Sequence, residues 1–464
     1  MSDPGSLSQI FKAYDVRGLV PSQLDESLAR SIGAAFALEV GAPAGAGEVV
    51  VGHDMRASSP SLATAFGEGV MDRGVDVLQI GLASTDLLYF ASGHLDLPGA
   101  MFTASHNPAA YNGIKLCRAG AVALSAETGL DAIRREVETA ARRDAHQRGL
   151  PPPGGRGSAR SRELLGAYAD YLHQLVPVTG RRLTVVVDAG NGMAGLTAPA
   201  VLSGLDLELV PLYFDLDGSF PHHEANPLEP ANVVDLQRAV ADAGADIGLA
   251  FDGDADRCFV IDEQGRAVSA SALTALIAVR ELAREPGGHV IHNVVTSRAV
   301  AEIVAEHGGV PVRTRVGHSL IKATMAEHRA VFGGEHSGHF YFRDFWYADS
   351  GMLAALHVLA QLASSVHPLS ELMSGFDRYV ASGELNTTVA DPVAVVDALA
   401  AHFARDDRLR LDRLDGLSVM GEDWSFNVRP SNTEPTLRLN VEGESAETMT
   451  QVRDQVKSLM RRYS

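Results

Sequence analysis

The chain has 464 residues, a formal net charge of −19, 46% hydrophobic residues and two cysteines, a composition typical of a globular protein with several domains. The acidic balance excludes a nucleic-acid-binding protein, because such proteins neutralise phosphates with lysine and arginine. Cys117 and Cys258 lie far apart, which predicts a protein without disulfides. The chain shows neither a secretion signal near Met1 nor a run of ~18 uncharged apolar residues, so no membrane span is expected. Together these features predict a cytoplasmic protein.

A strand–helix–strand pattern occurs three times along the chain. The paired apolar strands are expected at 48–52 and 74–78, at 183–188 and 205–210, and at 290–292 and 310–312. The helix of the first copy has a start signal at Ser58-Ser59-Pro60, with proline just inside the first turn. Three copies predict three related α/β domains.

Changes in composition along the chain predict four domains. Residues 142–162 contain Pro151-Pro152-Pro153-Gly154-Gly155 and could not bury a core face, so a linker is expected there. After Gly375 the pattern changes to strands of period two followed by one helix, which predicts a small α+β domain. The predicted domains are 1–155, 156–265, 266–374 and 375–464.

The segment Thr103 to Lys115 is typical of a loop with a reactive hydroxyl. Asn107-Pro108 and Asn112-Gly113 favour turns, and Ser105 stands among them with Lys115 ten residues further on. The neighbours of Ser105 do not form the G-x-S-x-G pattern of an esterase. An ordinary polar turn is the alternative.

The segment Asp252-Gly253-Asp254-Ala255-Asp256-Arg257 places carboxylates at alternate positions between two apolar runs. Such carboxylates can converge on one hard cation, and Mg²⁺ is favoured because it keeps open positions for a phosphate oxygen and water. An EF-hand loop is excluded, since Arg257 occupies the sixth position, where that loop needs glycine. A solvated acidic turn is the alternative.

The glycine-rich segment 333–339 places Glu335 and Ser337 two residues apart. A hydrogen-bond acceptor and a donor at this spacing suit the vicinal hydroxyls of a sugar. A plain turn or a weak metal site is the alternative, although His336 and His339 without a third ligand make a poor zinc site.

The segment 429–436 joins two predicted strands of the last domain and is typical of a phosphate-binding loop. Arg429 can bind phosphate through two parallel hydrogen bonds. Hydroxyl, amide and backbone donors follow at Ser431, Asn432 and Thr433. The chain lacks a Walker spacing here, so nucleotide binding is not indicated. A plain hairpin turn is the alternative.

These four segments, in this order, resemble the motifs of the α-D-phosphohexomutase family, in its phosphomannomutase/phosphoglucomutase branch. T-A-S-H-N-P resembles the phosphoserine loop of that family, D-G-D-A-D-R its metal loop, G-E-H-S-G-H its sugar-binding loop and R-P-S-N-T-E-P its phosphate-binding loop. The resemblance covers essentially the whole chain. It implies an α/β fold in which three related α/β domains with mixed sheets and a C-terminal α+β domain surround a central active-site cleft.

The resemblance also implies a role for individual residues. Ser105 would be the phosphorylated serine, and one Mg²⁺ per chain would be bound by Ser105, Asp252, Asp254 and Asp256. The substrate would be bound by Tyr14, Arg257, Glu335, Ser337, Arg429, Ser431, Asn432 and Thr433. The other catalytic groups would be Arg17, Lys115, His318 and His339. Which of Lys115, His318 and His339 transfers protons stays open.

The activity implied by the resemblance is that of a phosphohexomutase. It would interconvert hexose 1-phosphate and hexose 6-phosphate, with mannose favoured over glucose, through a phosphoserine enzyme and a hexose 1,6-bisphosphate that also serves as activator. The expected partners are small hexose phosphates, with neither nucleic acid nor membrane, and the expected assembly is a monomer or a weak dimer. Phosphoglucosamine mutase and a non-catalytic sugar-phosphate-binding protein are the alternatives.

Overall fold

A computed structural model of the chain describes residues 4–40, 47–142, 155–431 and 436–463. These residues form two compact units. The first unit contains the described residues up to Val268 together with Ser337–Leu369, and the second contains Ser269–His336 and the described residues from Ser370 onward. None of the described helices is long and apolar enough to cross a membrane. The middle of the predicted linker, 143–154, lies outside the described residues.

The first sheet lies in the N-terminal third of the chain. Its strands are β1 (Val16–Leu19), β2 (Glu48–His53), β3 (Asp76–Leu82), β4 (Gly99–Phe102), β5 (Tyr111–Arg118), β6 (Val122–Ala123) and β7 (Ala159–Ser161). The order is β1-β5-β4-β2-β3-β7, with β6 beside β5. Strand β2 is parallel to β3 and β4, whereas β5 is antiparallel to β1 and β4. The helices of this region are α1 (Pro4–Ile10), α2 (Glu26–Val40), α3 (Ser59–Met71), α4 (Thr85–Leu95) and α5 (Asp131–Arg142).

The first strand–helix pair forms as the sequence predicts. Helix α3 begins at Ser59, with Ser58 as its N-cap residue and Pro60 in its first turn, where a missing N–H costs nothing. Its buried face includes Phe66, which packs edge-on against Phe102 of β4. This packing fixes the loop between β2 and α3 beside the end of β4.

The second sheet contains β8 (Leu183–Asp188), β9 (Leu207–Leu212), β10 (Ile247–Phe251), β11 (Cys258–Asp262) and β12 (Ala267–Val268). The order is β12-β11-β10-β8-β9. Strand β8 is parallel to β9 and β10, whereas β10 and β11 are antiparallel. The helices are α6 (Leu165–Leu175), α7 (Ala194–Leu202) and α8 (Val234–Ala243). The acidic turn 252–257 therefore joins two adjacent antiparallel strands.

The third region of the chain contributes to both units. The elements in the second unit are α9 (Ala270–Arg284), β13 (His289–Asn293), α10 (Arg298–Glu306), β14 (Val310–Thr314), α11 (His318–His328) and β15 (Phe332–Gly334). Strand β13 pairs in parallel with β14 and β15. The elements in the first unit are the antiparallel pair β16 (Phe340–Phe342) and β17 (Ala348–Asp349), then the buried helix α12 (Gly351–Ala363). The compact units thus divide the third predicted domain, whose boundaries stay a prediction.

The last sheet is wholly antiparallel. Its strands are β18 (Val380–Thr388), β19 (Arg410–Asp412), β20 (Leu417–Met420), β21 (Trp424–Pro430) and β22 (Thr436–Gly443), in the order β18-β22-β21-β20-β19. The helices are α13 (Leu369–Ser374), α14 (Pro392–Phe403) and α15 (Ala446–Tyr463). The positions that recur at helical spacing in α15 are buried, as predicted: Met449, Val452, Val456 and Leu459.

The three predicted repeats are confirmed as parallel strand pairs joined by a helix. The pairs are β2 with β3, β8 with β9, and β13 with β14, and the helices between them are α3, α7 and α10. Parallel strands need such a crossover, whereas antiparallel strands can be joined by a short turn. Three α/β regions with mixed sheets and a final α+β region confirm the predicted fold class.

A buried carboxylate joins three elements of the first unit. Asp86 in the first turn of α4 accepts hydrogen bonds from the hydroxyls of Ser84, Tyr168 (2.6 Å) and Ser350 (2.7 Å). Ser350 is also the N-cap residue of α12, where it accepts a hydrogen bond from the N–H of Leu353. Burial raises the pKa of Asp86 to about 6, although the three hydroxyl donors oppose this shift.

Candidate active site

The hydroxyl of Ser105 points at the acidic turn. Ser105 follows β4, is buried and has a φ of +50°, a left-handed conformation that is uncommon for residues other than glycine. Its N–H donates to Thr103 Oγ1 (2.9 Å), and its Oγ donates to Asp252 Oδ2 (2.7 Å). The Oγ also lies 3.2 Å from Nδ1 of His106.

Three carboxylates come together in the turn between β10 and β11. Asp252, Asp254 and Asp256 are buried, and each offers an oxygen within 4.8 Å of the others. Within the described part of the chain, Oδ1 of Asp254 and Oδ1 of Asp256 are buried without a hydrogen-bond donor. A buried acceptor without a partner costs free energy, and an all-oxygen set is what a hard divalent cation binds. The residues present therefore fit the predicted Mg²⁺.

Two cationic side chains hold these carboxylates in place. Lys115 Nζ lies 2.7 Å from Asp254 Oδ2 and 2.5 Å from Asp256 Oδ2. Arg257 binds Asp252 Oδ2 through Nε (2.9 Å) and Nη2 (2.7 Å). Three carboxylates against two cations leave an excess of negative charge, which favours the binding of a divalent cation.

Burial and charge compete in setting the pKa values of this cluster. Burial raises the pKa of Asp252 to about 7, although Arg257 opposes the shift. For Asp256 burial acts in the same direction, but the positive charges of Lys115, His339 and Arg257 together outweigh it and lower the pKa to about 2. Burial disfavours charged Lys115, but its carboxylate partners hold its pKa well above the usual value. Lys115 is therefore a cation at neutral pH in this arrangement.

One further residue, which the sequence did not indicate, contacts the acidic turn. Thr85 at the start of α4 donates its hydroxyl to Asp254 Oδ2 (2.5 Å) and its N–H to Asp254 O (3.0 Å). At Gly253 a Cβ atom would lie 2.4 Å from the carbonyl oxygen of Ser105. Only glycine therefore lets the turn approach the serine loop this closely.

Of the two predicted residues near the N-terminus, Arg17 contacts the serine loop. Arg17 Nη1 donates to Asn107 Oδ1 and Nη2 to Asp15 Oδ2, both at 2.5 Å. Tyr14 is half-buried three residues earlier in the chain. The structure thus brings Arg17 to the loop that carries Ser105.

His339 lies beside the acidic turn in the first unit. It forms an antiparallel bridge with Arg257, and its Nε2 lies 3.7 Å from Asp256 Oδ1 and 3.9 Å from Asp349 Oδ2. The hydroxyl of Ser337 lies 3.1 Å from Nδ1 of His339. These contacts orient the imidazole with one nitrogen toward the carboxylates and the other toward Ser337.

Glu335 and His318 belong to the second unit. Glu335 is buried directly after β15 and accepts a hydrogen bond from Asn293 Nδ2 (3.0 Å). The amide of Asn293 is fixed in turn, because its Oδ1 accepts the hydroxyl of Thr296 (2.9 Å). His318 is the first residue of α11. Its side chain lies outside the part of the chain that the structure describes.

Arg429 is held at the end of β21 in the second unit. Its Nη2 donates to Glu384 Oε2 (2.9 Å), while the other oxygen of this carboxylate lies 3.4 Å from Nη1 of Arg438. Among the described residues, Nε of Arg429 is buried without an acceptor. Two guanidinium groups that share one carboxylate leave positive charge and a free donor, which suits a phosphate.

The rest of the predicted phosphate loop is only partly described. Ser431 is half-buried, and its N–H donates to the carbonyl oxygen of Thr436 (2.8 Å), so the hairpin between β21 and β22 extends to this residue. Asn432 and Thr433 lie outside the described residues.

Sequence reasoning also missed Arg56, which is 2% exposed and contacts the backbone of the serine loop. The available signal was its position two residues after Asp54, in the loop that follows a strand of a parallel pair. Loops at this end of parallel strands commonly carry functional residues. The charged pair of Asp54 and Arg56 in this loop could not be assigned to a site from the sequence, because its burial is known only from the structure.

Comparison with known families matches four consecutive parts of the chain. Residues 8–144, 166–265 and 270–379 match the alpha/beta/alpha domains I, II and III described for phosphoglucomutase/phosphomannomutase. Residues 384–459 match the C-terminal domain of phosphoglucomutase/phosphomannomutase. The matches follow one another in the order of the four predicted domains.

Individual proteins are similar over nearly the whole chain. "Phosphohexose mutases" of Xanthomonas campestris pv. campestris is 42% identical over 455 residues, which cover 97% of this chain and 99% of that protein. A phosphomannomutase of Salmonella typhimurium is 40% identical over 444 residues, which cover 93% of this chain and 94% of that protein. The crystal structure of a phosphoglucomutase/phosphomannomutase family protein from Burkholderia thailandensis matches with a TM-score of 0.88 at 34% identity, covering 100% of this chain and 98% of that one.

Proposed function

Because the chain belongs to the phosphoglucomutase/phosphomannomutase family and is a phosphohexomutase, we propose that it interconverts mannose 1-phosphate and mannose 6-phosphate, with the glucose phosphates as second substrates. The observation that carries the proposal is the hydroxyl of Ser105, which lies 2.7 Å from Oδ2 of Asp252 in a buried acidic turn. A nucleophilic oxygen beside a cation site is what a phosphoryl carrier needs. The name of the Salmonella typhimurium relative supports mannose as the preferred hexose.

The proposed reaction consists of two phosphoryl transfers. In the first, the bond between phosphorus and Ser105 Oγ breaks while the free hydroxyl of the hexose monophosphate forms a new bond to phosphorus and loses its proton to a base. The resulting 1,6-bisphosphate returns its other phosphate to Ser105 in the second transfer. Water is neither consumed nor released. The candidate bases and acids are Lys115, His318 and His339.

Ser105, Asp252, Asp254 and Asp256 would hold one Mg²⁺, which when bound supplies positive charge beside the transferring phosphoryl group. The side chains around these ligands have a separate task. Lys115 and Arg257 hold the carboxylates in one geometry and favour their ionised form. The guanidinium groups of Arg17 and Arg257 would then orient phosphate oxygens.

The remaining predicted residues would bind the non-reacting part of the substrate. We assign the sugar hydroxyls to Glu335 and Ser337, and stacking or hydroxyl contacts to Tyr14. The non-reacting phosphate would be bound by Arg429, Ser431, Asn432 and Thr433. The unpaired Nε of Arg429, among the described residues, supports this assignment. Since glucose and mannose differ only at carbon 2, contacts to the 3- and 4-hydroxyls accept both sugars.

Three further properties belong to the same proposal. A hexose 1,6-bisphosphate would act as activator, because it can restore phosphate to Ser105 after the intermediate is lost. The expected site of action is the cytoplasm, which agrees with Cys117 and Cys258 being buried thiols outside any disulfide. The expected assembly is a monomer or a weak dimer.

The phosphorylation state of Ser105 tests the proposed mechanism. Intact-mass analysis should find one phosphate on Ser105, which excess hexose monophosphate removes and glucose 1,6-bisphosphate restores. Ser105→Ala should lose nearly all turnover, because no neighbouring aspartate or cysteine in this loop replaces the nucleophile. Ser61→Ala, an exposed serine of α3, is the control and should keep full activity. Release of inorganic phosphate without exchange between the 1- and 6-phosphates contradicts the proposal.

The substrate proposal is tested by measuring kcat/KM for three compounds side by side. We expect mannose 1-phosphate to give the highest value, glucose 1-phosphate a lower one and glucosamine 1-phosphate the lowest. A preference for glucosamine 1-phosphate instead identifies a phosphoglucosamine mutase. Binding of all three without turnover identifies a non-catalytic sugar-phosphate-binding protein.

A further inference from the structure

Arg56 binds four backbone carbonyl groups of the loop that carries Ser105. The residue lies between β2 and α3 and is 2% exposed. Its Nη1 donates to the carbonyl oxygens of Pro108 (2.9 Å) and Tyr111 (3.0 Å). Its Nη2 donates to those of Ser105 (2.8 Å) and Asn107 (2.7 Å). One planar guanidinium group therefore spans the loop from Ser105 to the start of β5.

The loop needs such a partner for two physical reasons. Buried carbonyl groups outside a sheet must find a donor, since each unpaired one costs free energy. Ser105 also has a φ of +50°, and a non-glycine residue in this conformation costs on the order of 1–3 kcal/mol unless its surroundings hold it. A guanidinium group supplies several donors in one rigid plane, which neither lysine nor a neutral side chain can do.

Arg56 is itself fixed on its other edge. Its Nε lies 3.2 Å from Oδ2 of Asp54. The second oxygen of Asp54 accepts the hydroxyl of Ser59 at the start of α3 (2.6 Å) and the N–H of Arg56 (3.0 Å). The ring of Phe220 lies 5.1 Å from the guanidinium carbon. The guanidinium group is therefore held from the β2–α3 loop and by Phe220, as well as by the serine loop.

Stability alone does not account for this arrangement. Burying an ion pair costs desolvation free energy that its own attraction barely returns, and apolar residues of similar volume stabilise a protein as well or better. The four accepting carbonyls all belong to the loop of the proposed nucleophile. One of them belongs to Asn107, whose side chain accepts a hydrogen bond from Arg17.

We propose that Arg56 is a positioning residue for phosphoryl transfer, which holds the backbone of residues 105–111 so that Ser105 Oγ faces Asp252 and Asn107 faces Arg17. The inference rests on the proposed role of Ser105. It predicts that the shape of the guanidinium group matters and not only its charge. A displacement of the nucleophile by about 1 Å lowers a reaction rate by roughly 100-fold while leaving substrate binding largely unchanged.

The first test replaces Arg56 with lysine, which keeps the charge and loses the planar donors. Arg56→Lys should lower kcat by about 10- to 100-fold, with KM for the hexose phosphate and the Mg²⁺ requirement nearly unchanged. Rephosphorylation of Ser105 by glucose 1,6-bisphosphate in a single turnover should slow by the same factor. Arg118→Lys is the matched control in the same sheet, since Arg118 binds Glu39 and the carbonyl of Thr128. Its kcat should stay within twofold of the wild type.

The second test is chemical rescue, which separates positioning from folding. In Arg56→Ala, added guanidinium ion at low millimolar concentration should restore part of kcat, whereas sodium chloride at the same ionic strength should not. Arg118→Ala should respond to neither salt. Thermal unfolding of each variant measures the folded fraction. If Arg56→Ala does not fold, Arg56→Lys decides the question.

Three outcomes overturn the inference. Folded Arg56→Lys with kcat within twofold of the wild type shows that the planar donors do not matter. A kcat that falls only in proportion to the folded fraction shows a purely structural role. A wild-type enzyme that never carries phosphate on Ser105 overturns the proposed function together with this inference, whereas wild-type turnover beside an unaffected Arg56→Lys overturns this inference alone.

Discussion

The acidic turn of the first unit and the Arg429 hairpin of the second unit are built alike and charged oppositely. Each joins two antiparallel strands, β10 with β11 and β21 with β22. In the acidic turn three carboxylates face the cations of Lys115 and Arg257. In the hairpin, Arg429 and Arg438 share the single carboxylate of Glu384.

The acidic turn and the hairpin differ in the kind of buried polar atom that each leaves without a hydrogen-bond partner within the described residues. Asp254 and Asp256 each keep a buried oxygen without a donor, whereas Arg429 keeps a buried N–H without an acceptor. Since buried polar groups are normally paired, these atoms indicate a cation for the first centre and an anion for the second. A chain with a net charge of −19 would thus build its proposed phosphate site from a small local excess of arginine.

The largest expected effect comes from removing a carboxylate of the acidic turn. Asp254→Asn should lower Mg²⁺ affinity and kcat by about 100-fold or more, since even groups outside the ligand set change metal affinity 10- to 100-fold. EDTA should abolish the activity of the wild type, and Mg²⁺ should restore it. The measurement is turnover as a function of free Mg²⁺. Asp242→Asn, an exposed residue of α8 with the same change of charge, should have no effect. Full turnover in chelator contradicts the metal assignment.

The next largest effect is expected in the hairpin that carries Arg429. Arg429→Ala should raise KM for hexose phosphates by about 10- to 100-fold with a smaller change in kcat, since a hydrogen bond to a charged group contributes roughly 1.5–3 kcal/mol. Arg438→Ala removes the same charge but is more exposed, so its effect should be a few-fold. Steady-state kinetics of the three proteins measure this difference. Equal KM values for Arg429→Ala and the wild type mean that the segment is only a hairpin turn.

A smaller effect of opposite sign is expected for the acid between the two arginines. Glu384→Gln removes the carboxylate that competes with substrate phosphate for Arg429, so KM should fall about two- to threefold, the range expected for a partly exposed ion pair. Glu447→Gln at the exposed start of α15 is the control. A rise in KM for Glu384→Gln instead shows that Glu384 orients Arg429.

The smallest expected effect is on the pH dependence of the free energy of unfolding, and it comes from a residue outside both the acidic turn and the hairpin. His223 Nε2 lies 3.0 Å from Asp188 Oδ2. Burial disfavours protonated His223, but the hydrogen bond to Asp188, the charge of that carboxylate and the carbonyl oxygen of Glu224 together outweigh burial and raise the pKa of His223. The folded state therefore binds the proton more tightly, so the stabilisation is complete below the unfolded pKa of about 6.5 and is lost as pH rises through the folded value.

Denaturant unfolding of the wild type and His223→Gln at pH 6 and pH 8.5 measures this contribution. The free energy of unfolding of the wild type should fall by about 0.5 kcal/mol more than that of the variant, a value reduced for solvent screening of the pair. An equal change in both proteins shows that the pair does not contribute.

The sequence predicts the elements and the charged motifs because both have local signals. Ser58-Ser59-Pro60 specifies the start of α3, and the apolar runs that flank Asp252 and Arg257 become the antiparallel strands of the acidic turn. The predicted group at this turn is brought together by the first unit, where Ser105 and Lys115 contact the carboxylates.

The residues that sequence reasoning missed act through partners far away in the chain. Arg56 binds backbone carbonyls about fifty residues later, and a carbonyl leaves no mark on the sequence. Thr85 donates to a carboxylate 169 positions away. Glu384 is one acid among many in an acidic chain until its place beside Arg429 is known. Such contacts depend on the tertiary fold, which periodicity and local propensity do not specify.

The first unit is built from two separate stretches of the chain, and this has a consequence for its folding during translation. Its last segment, Ser337–Leu369, leaves the ribosome only after residues 269–336 of the second unit have been made. Until then Asp86 lacks the hydroxyl of Ser350, and the elements against which α12 packs remain uncovered. We therefore expect the first unit to complete its folding late in translation. A chain released at residue 369 should resist protease better than one released at residue 336.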